Sequence, residues 1–113
     1  MCDFSETTID VRDDSLNPNC KDAAERIVTL RQSVDNIDNA VISLLAERFK
    51  TTKSIGELKA KAGFAPLDAK REHAQISRLL ELAKIAGLDE SIAIKYHEFV
   101  VTEAKKRHKK MQD

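Results

Sequence analysis

Apolar side chains recur three and four residues apart at Ile27, Leu30, Val34, Ile37, Val41 and Leu44. Such spacing is the seam of a heptad repeat, not the broader stripe of an ordinary surface helix. It predicts one helix from about Asp22 to Ala62, roughly 60 Å long at the usual rise per residue and longer than a small domain is wide. Ile55 and Leu58 continue the seam, but Arg48 and Thr51 interrupt it. A guanidinium on a burying face is costly unless something anionic meets it. Any fold for this chain has to account for both the length and the arginine.

The rest of the chain is built from similar material. Hydrophobic residues make up 42%, with no tryptophan and only four Phe and one Tyr. A core of Leu, Ile, Val and Ala suits helices, and three glycines and two prolines leave little room for the turns of a sheet fold. The expectation is all-α, in one domain. Asp22 with Glu25 resembles a capping box at the start of the long helix, while Gly63 and Pro66 end it. Asp68 opens a second helix to about Ala86, with Ile76, Leu79, Leu80 and Ala83 on its apolar face. After Gly87, Asp89 caps a third helix to about Lys110, buried through Ile92, Tyr96, Phe99, Val100 and Ala104. Two helices of this size cover the long one once, whereas a sustained seam asks for a partner of its own kind. A homodimer with the long helices as its spine is therefore expected. A monomeric three-helix bundle is the alternative.

Residues 1–20 are acidic and are broken by Asn17-Pro18-Asn19. Ile9, Val11 and Leu16 offer too little apolar area to offset the entropy of ordering, so this stretch is expected to be a flexible tail. Cys2 and Cys20 match no zinc spacing and make no disulfide framework, which suits free thiols in a reducing compartment. No basic and apolar leader opens the chain, and the longest apolar run, residues 40–46, is far short of a membrane span. A cytoplasmic protein without membrane attachment is expected. Nineteen basic and nineteen acidic residues balance to a net charge of zero, which argues against nucleic acid as a partner. The cationic end, from Lys105 to Lys110, reads first as a solvated helix terminus complementing the macrodipole, with a dedicated anion site as the alternative.

Some charges are placed less innocently. Arg48 and Lys59 stand three turns apart on nearly one face, so their long side chains can converge on an anion between them. Arg71 and Glu72 fall in the first turn of the second helix behind Asp68, and an arginine there opposes the helix dipole. Arg31 lies on another face of the long helix, but antiparallel long helices in a dimer would bring it to Arg48 of the partner subunit. His97 and His108 are about 16 Å apart along the third helix, so no metal site is expected. No triad spacing and no phosphate-cradling glycine loop stands out. The residues describe a helical dimer for a small, multiply anionic ligand.

The text LRQSVDNIDNAVISLLAER at 30–48, IGELKAKAG at 55–63, PLDAKRE at 66–72 and GLDESI at 87–92 resembles the all-helical chorismate mutases. The likeness covers about residues 25–105 and implies a chorismate mutase domain over 21–113, in an intertwined homodimer of three-helix subunits. It implies an isomerase that converts chorismate to prephenate, a Claisen rearrangement toward phenylalanine and tyrosine, without a cofactor. Arg31 of the partner subunit and Arg48 would hold the two carboxylates. Lys59 would contact the ether oxygen and a carboxylate, Glu72 the ring hydroxyl, and Arg71 and Asp68 would complete the wall. The family's usual Ser and Gln on the third helix are replaced by Ala104 and His108, with Gln112 one turn further on. Either His108 donates to the ether oxygen or a shift of the helix brings Gln112 in. A short intracellular subgroup of the family is weakly active alone and is boosted by DAHP synthase, and the departure at His108 suggests the same partner here. The rivals are an isochorismate pyruvate lyase of the same fold and a non-catalytic helical dimer with a regulatory role.

Overall fold

The computed structural model describes residues 9–12 and 17–112, apart from the side chains of 108 and 110–112. Three helices follow one another: α1 (Pro18–Ala62), α2 (Ala69–Ala86) and α3 (Glu90–Gln112). No strand occurs among the described residues, as the composition predicts, and none of the helices is long and apolar enough to cross a membrane. The chain forms two compact units that divide within α1, one up to Leu45 and one from Ala46 onward.

In the first unit α1 starts earlier than predicted. Asn17 Oδ1 accepts the N–H of Cys20 at 2.9 Å, and its carbonyl accepts that of Lys21 at 3.0 Å. Pro18 occupies the first helical position, where a missing N–H costs nothing. The Asn-Pro pair is therefore the cap, not a break. Asp22, expected as the cap, sits inside the helix and pairs with Arg26 at 3.3 Å. Of the expected tail, residues 1–8 and 13–16 lie outside the described residues. Residues 9–12 make a turn in which Arg12 donates to Asp10, and 17–20 belong to the start of α1. Cys20 is buried and disulfide-bonded, where a free thiol was expected. Spacing alone fixes no pairing, and the chain's other cysteine, Cys2, lies outside the described residues. Along the rest of this unit the heptad seam is bare: Leu30, Val34, Ile37, Val41 and Leu44 are all exposed, from 45% at Val41 to 69% at Leu44.

The second unit holds the last part of α1 with α2 and α3. Phe49 of α1 meets Phe99 of α3 edge to face, with ring centroids 6.3 Å apart. The guanidinium of Arg107 lies over the Phe49 ring at 4.5 Å. Val100 is fully buried, and among the described residues of α2 and α3 Ala83 and Ala93 are buried as well. The face of α3 thus differs from expectation: Ile92 and Phe99 remain about half exposed, and Ala93 is buried instead. Thr51, which breaks the seam, donates its hydroxyl to the Glu47 carbonyl at 2.9 Å, so its polar group is satisfied within the helix.

The turns follow from their residues. Gly63 and Gly87 adopt φ of 76° and 72°, a left-handed conformation that L side chains resist. Phe64 N–H then reaches back to the Lys59 carbonyl at 2.9 Å, and Leu88 N–H to that of Ala83 at 2.8 Å, as in a Schellman ending. Asp68 caps α2 by accepting the Arg71 N–H at 3.0 Å. Asp89 accepts the Ser91 N–H at 2.9 Å, and hydrogen bonds from the Ser91 backbone and hydroxyl hold its carboxyl below the usual value. A lowered folded value stabilises the fold above the ordinary carboxylate range, and that contribution is lost as pH falls through it. Two outcomes are expected in urea unfolding. Gly87→Ala costs about 1–2 kcal/mol through the left-handed backbone alone. The destabilisation by Asp89→Ala is largest near neutrality and shrinks toward pH 2, whereas a pH-independent loss would mean that the carboxylate charge has no part in the cap.

Candidate active site

The last part of α1 presents Arg48, Thr52, Ile55 with its neighbour Gly56, and Lys59 along one face, at helical spacing. They line a cavity of about 580 Å³, within the range of small-molecule sites. The α1–α2 turn adds Pro66 and Leu67, and the first turns of α2 add Arg71, Glu72 and Gln75. From α3 come Val101, Ala104, Lys105 and Lys109. Gly56 is buried and contributes backbone without a side chain, which keeps that part of the wall clear.

Four of the charged groups are held by contacts. The Arg48 guanidinium stands 5.9 Å from the centroid of the Tyr96 ring, a cation–π contact that limits its swing. Lys59 Nζ donates to the Pro66 carbonyl at 3.3 Å. Lys105 Nζ lies 3.6 Å from Glu72 Oε1, bridging α3 and α2. Five cations therefore share the described wall with a single carboxylate. With no cysteine, no described histidine and only Glu72 as an anionic donor, this set suits an anion and not a metal ion.

Four of the predicted residues, Arg48, Lys59, Arg71 and Glu72, line this one cavity. Asp68 is not part of the wall; its carboxylate is engaged in capping α2, and so it supports Arg71 and Glu72 from behind. Arg31 belongs to the first unit and is exposed. The side chains of His108 and Gln112 lie outside the described residues, although α3 runs through both positions. Lys105, Lys109, Thr52 and Gln75 were not foreseen. A signal for the two lysines was available: Val101, Lys105 and Lys109 are spaced by four, so they share one face of α3 with an apolar neighbour. Reading the cationic run as a solvated terminus hid it.

Residues 30–109 match the family described as chorismate mutase type II. A chorismate mutase of Methanocaldococcus jannaschii is 32% identical over 77 residues, covering 68% of this chain and 78% of that protein. The chain belongs to the type II chorismate mutases. A bifunctional chorismate mutase/prephenate dehydratase of Aquifex aeolicus is 38% identical over 60 residues, 53% of this chain but 17% of that longer protein. The stretch matched to the mutase family takes in every wall residue from Arg48 to Lys109, and Arg31 as well. It leaves out the Asn17-Pro18 start of α1.

A wall of this charge should bind a dicarboxylate more tightly than its neutral ester. A dicarboxylate at a hundred times its dissociation constant should stabilise the fold by about 2.7 kcal/mol. The accompanying rise in melting temperature should shrink as salt is added. Equal shifts with acid and ester, or shifts insensitive to salt, would contradict an electrostatic site.

Proposed function

We propose that this chain rearranges chorismate to prephenate at the cavity between the last part of α1, α2 and α3. The observation that carries the reading is the wall itself: Arg48, Lys59, Arg71, Lys105 and Lys109 around one carboxylate, Glu72. A Claisen rearrangement breaks one carbon–oxygen bond and forms one carbon–carbon bond within a single molecule. It calls for no nucleophile and no proton transfer. It calls for a substrate folded into its reactive chair, and for fixed positive charge where the ether oxygen becomes more negative.

In this reading Arg48 holds one carboxylate, steadied by Tyr96. Lys59 leaves the Pro66 carbonyl to meet the ether oxygen, and Glu72 accepts from the ring hydroxyl. Arg71 adds positive potential from the start of α2, while Asp68 fixes that turn. The position of the family's glutamine falls to His108, or to Gln112 after a shift of α3. Arg31 of the partner subunit supplies the clamp for the second carboxylate. What supports a second copy is the bare seam on α1, with five large apolar side chains exposed at heptad spacing. A site assembled with a substituted glutamine position gives reason for low turnover alone and for activation by DAHP synthase.

The test is chorismate consumption with product identification, run in parallel with isochorismate. Prephenate from chorismate supports the reading, and pyruvate from isochorismate alone would overturn it. Arg48→Ala should remove about 2–5 kcal/mol of transition-state binding, a loss in kcat/KM of roughly 30- to several thousand-fold. A non-catalytic regulatory dimer would tolerate that change. Mixing Arg31→Ala and Arg48→Ala subunits should restore about a quarter of the activity, since half the dimers then hold one intact site. No recovery after confirmed subunit exchange would sink the shared site. Turnover that stays flat across a titration with DAHP synthase would remove that partner.

A further inference from the structure

Lys105 has no role in the reaction as set out above, yet it makes the ion pair of the cavity wall. Its Nζ lies 3.6 Å from Glu72 Oε1 and joins α3 to the first turn of α2. Among the described residues, Arg48, Lys59 and Arg71 have no carboxylate within ion-pair distance. That distribution is not what attraction alone would give. A lone carboxylate among several cations is drawn to whichever reaches it, and a guanidinium offers it a stronger, two-pronged hydrogen bond than an ammonium does. Arg48 and Lys59 line the same wall from another helix, whereas Arg71, adjacent to Glu72 on α2, is turned about 100° from it.

An internal pair between Glu72 and Arg48, Lys59 or Arg71 would have two consequences. It would neutralise a cation that a ligand carboxylate needs, and it would turn Glu72 away from the ligand hydroxyl. A counter-ion set apart for Glu72 avoids both. Lys105 is placed for this: of the described wall residues on α3, Val101 and Ala104 are apolar, and Lys105 rather than Lys109 lies within ion-pair distance of Glu72. Fold stability does not account for the pair, since its side chains are 57% and 34% exposed, a setting in which an ion pair contributes little.

We infer that Lys105 is a positioning residue for Glu72: it holds the carboxylate on the α3 side of the cavity and so leaves Arg48, Lys59 and Arg71 free for the substrate's carboxylates and ether oxygen. The inference rests on reading the cavity as a chorismate site, and it adds to that reading a division of labour among the cations. Two wall cations have similar side chains and opposite tasks. Lys59 serves the substrate, and Lys105 serves the enzyme's own anion.

The experiment compares Lys105→Met, which keeps the stem and removes the charge, with Lys105→Arg, which keeps the charge, in the parent and in Glu72→Gln. Lys105→Met should lower kcat/KM about tenfold, the middle of the range for coupled neighbours. The melting temperature should stay at that of the parent, and Lys105→Arg should recover most of the loss. In Glu72→Gln the change Lys105→Met should have no further effect. A full loss in that background would mean that Lys105 acts on the substrate directly, and the inference would be overturned. A parent that turns chorismate over while Lys105→Met does so equally well would also overturn it, with the functional reading intact. A parent with no turnover would instead count against the functional reading. A crystal structure of the Lys105→Met variant then decides the positioning by itself. Glu72 re-paired with Arg48, Lys59 or Arg71 supports it, and a carboxylate left in place refutes it.

Discussion

Cations gathered on one wall repel one another, and the second unit is arranged to keep five of them there regardless. Lys105 pairs with Glu72, but three of the others are held by something other than an opposing charge that would cancel them. Arg48 rests against the Tyr96 ring, and Lys59 donates to a backbone carbonyl. Arg71 is fixed through its main chain by the Asp68 cap. Aromatic faces and carbonyl dipoles restrain a cation while leaving its formal charge available. That choice of partners makes the wall a largely ready-made field for an anion, with Lys59 left to exchange its carbonyl for the ligand.

Much of this was legible in the sequence because helices print their faces at fixed intervals. Arg48 and Lys59, eleven residues apart, had to share a face whatever else the chain did. Gly63, Pro66 and Asp68 marked the turn that carries α2 to them. The seam's two polar residues were readable as exceptions, and they part company in the structure: Arg48 lines the cavity, whereas Thr51 satisfies itself against the Glu47 carbonyl. Where the reading failed, two physical explanations competed for one pattern. Asn17-Pro18 serves equally as a chain break or as a cap with proline in the first turn, and only the hydrogen bonds to Cys20 and Lys21 separate them. The lysines near the end of α3 suit the macrodipole and the cavity alike.

Asp68 shows a different limit. Its place in the sequence is right for a residue of the wall and right for a cap, and the carboxylate is committed to the cap. Ile92 and Phe99 show a third. Helical spacing points both inward, but a helix turns 100° per residue and a stripe three residues wide includes its own edges. The small Ala93 is buried on α3, while its larger neighbours Ile92 and Phe99 stay about half exposed. Hydropathy alone does not say which residues of such a stripe are covered.

The contacts of Phe49 carry a consequence for what this chain can tolerate. With its ring against Phe99 and beneath Arg107, that residue clamps the angular phase of α1 one position after Arg48. Lys59 lies ten residues further along the same continuous helix. A side chain in between can be exchanged with only local effect. One residue gained or lost there would turn everything beyond it by about 100° and swing Lys59 off the face that Arg48 still occupies. Between the clamp and the turn at Gly63, α1 works as a ruler: its markings can be rewritten, but its length cannot.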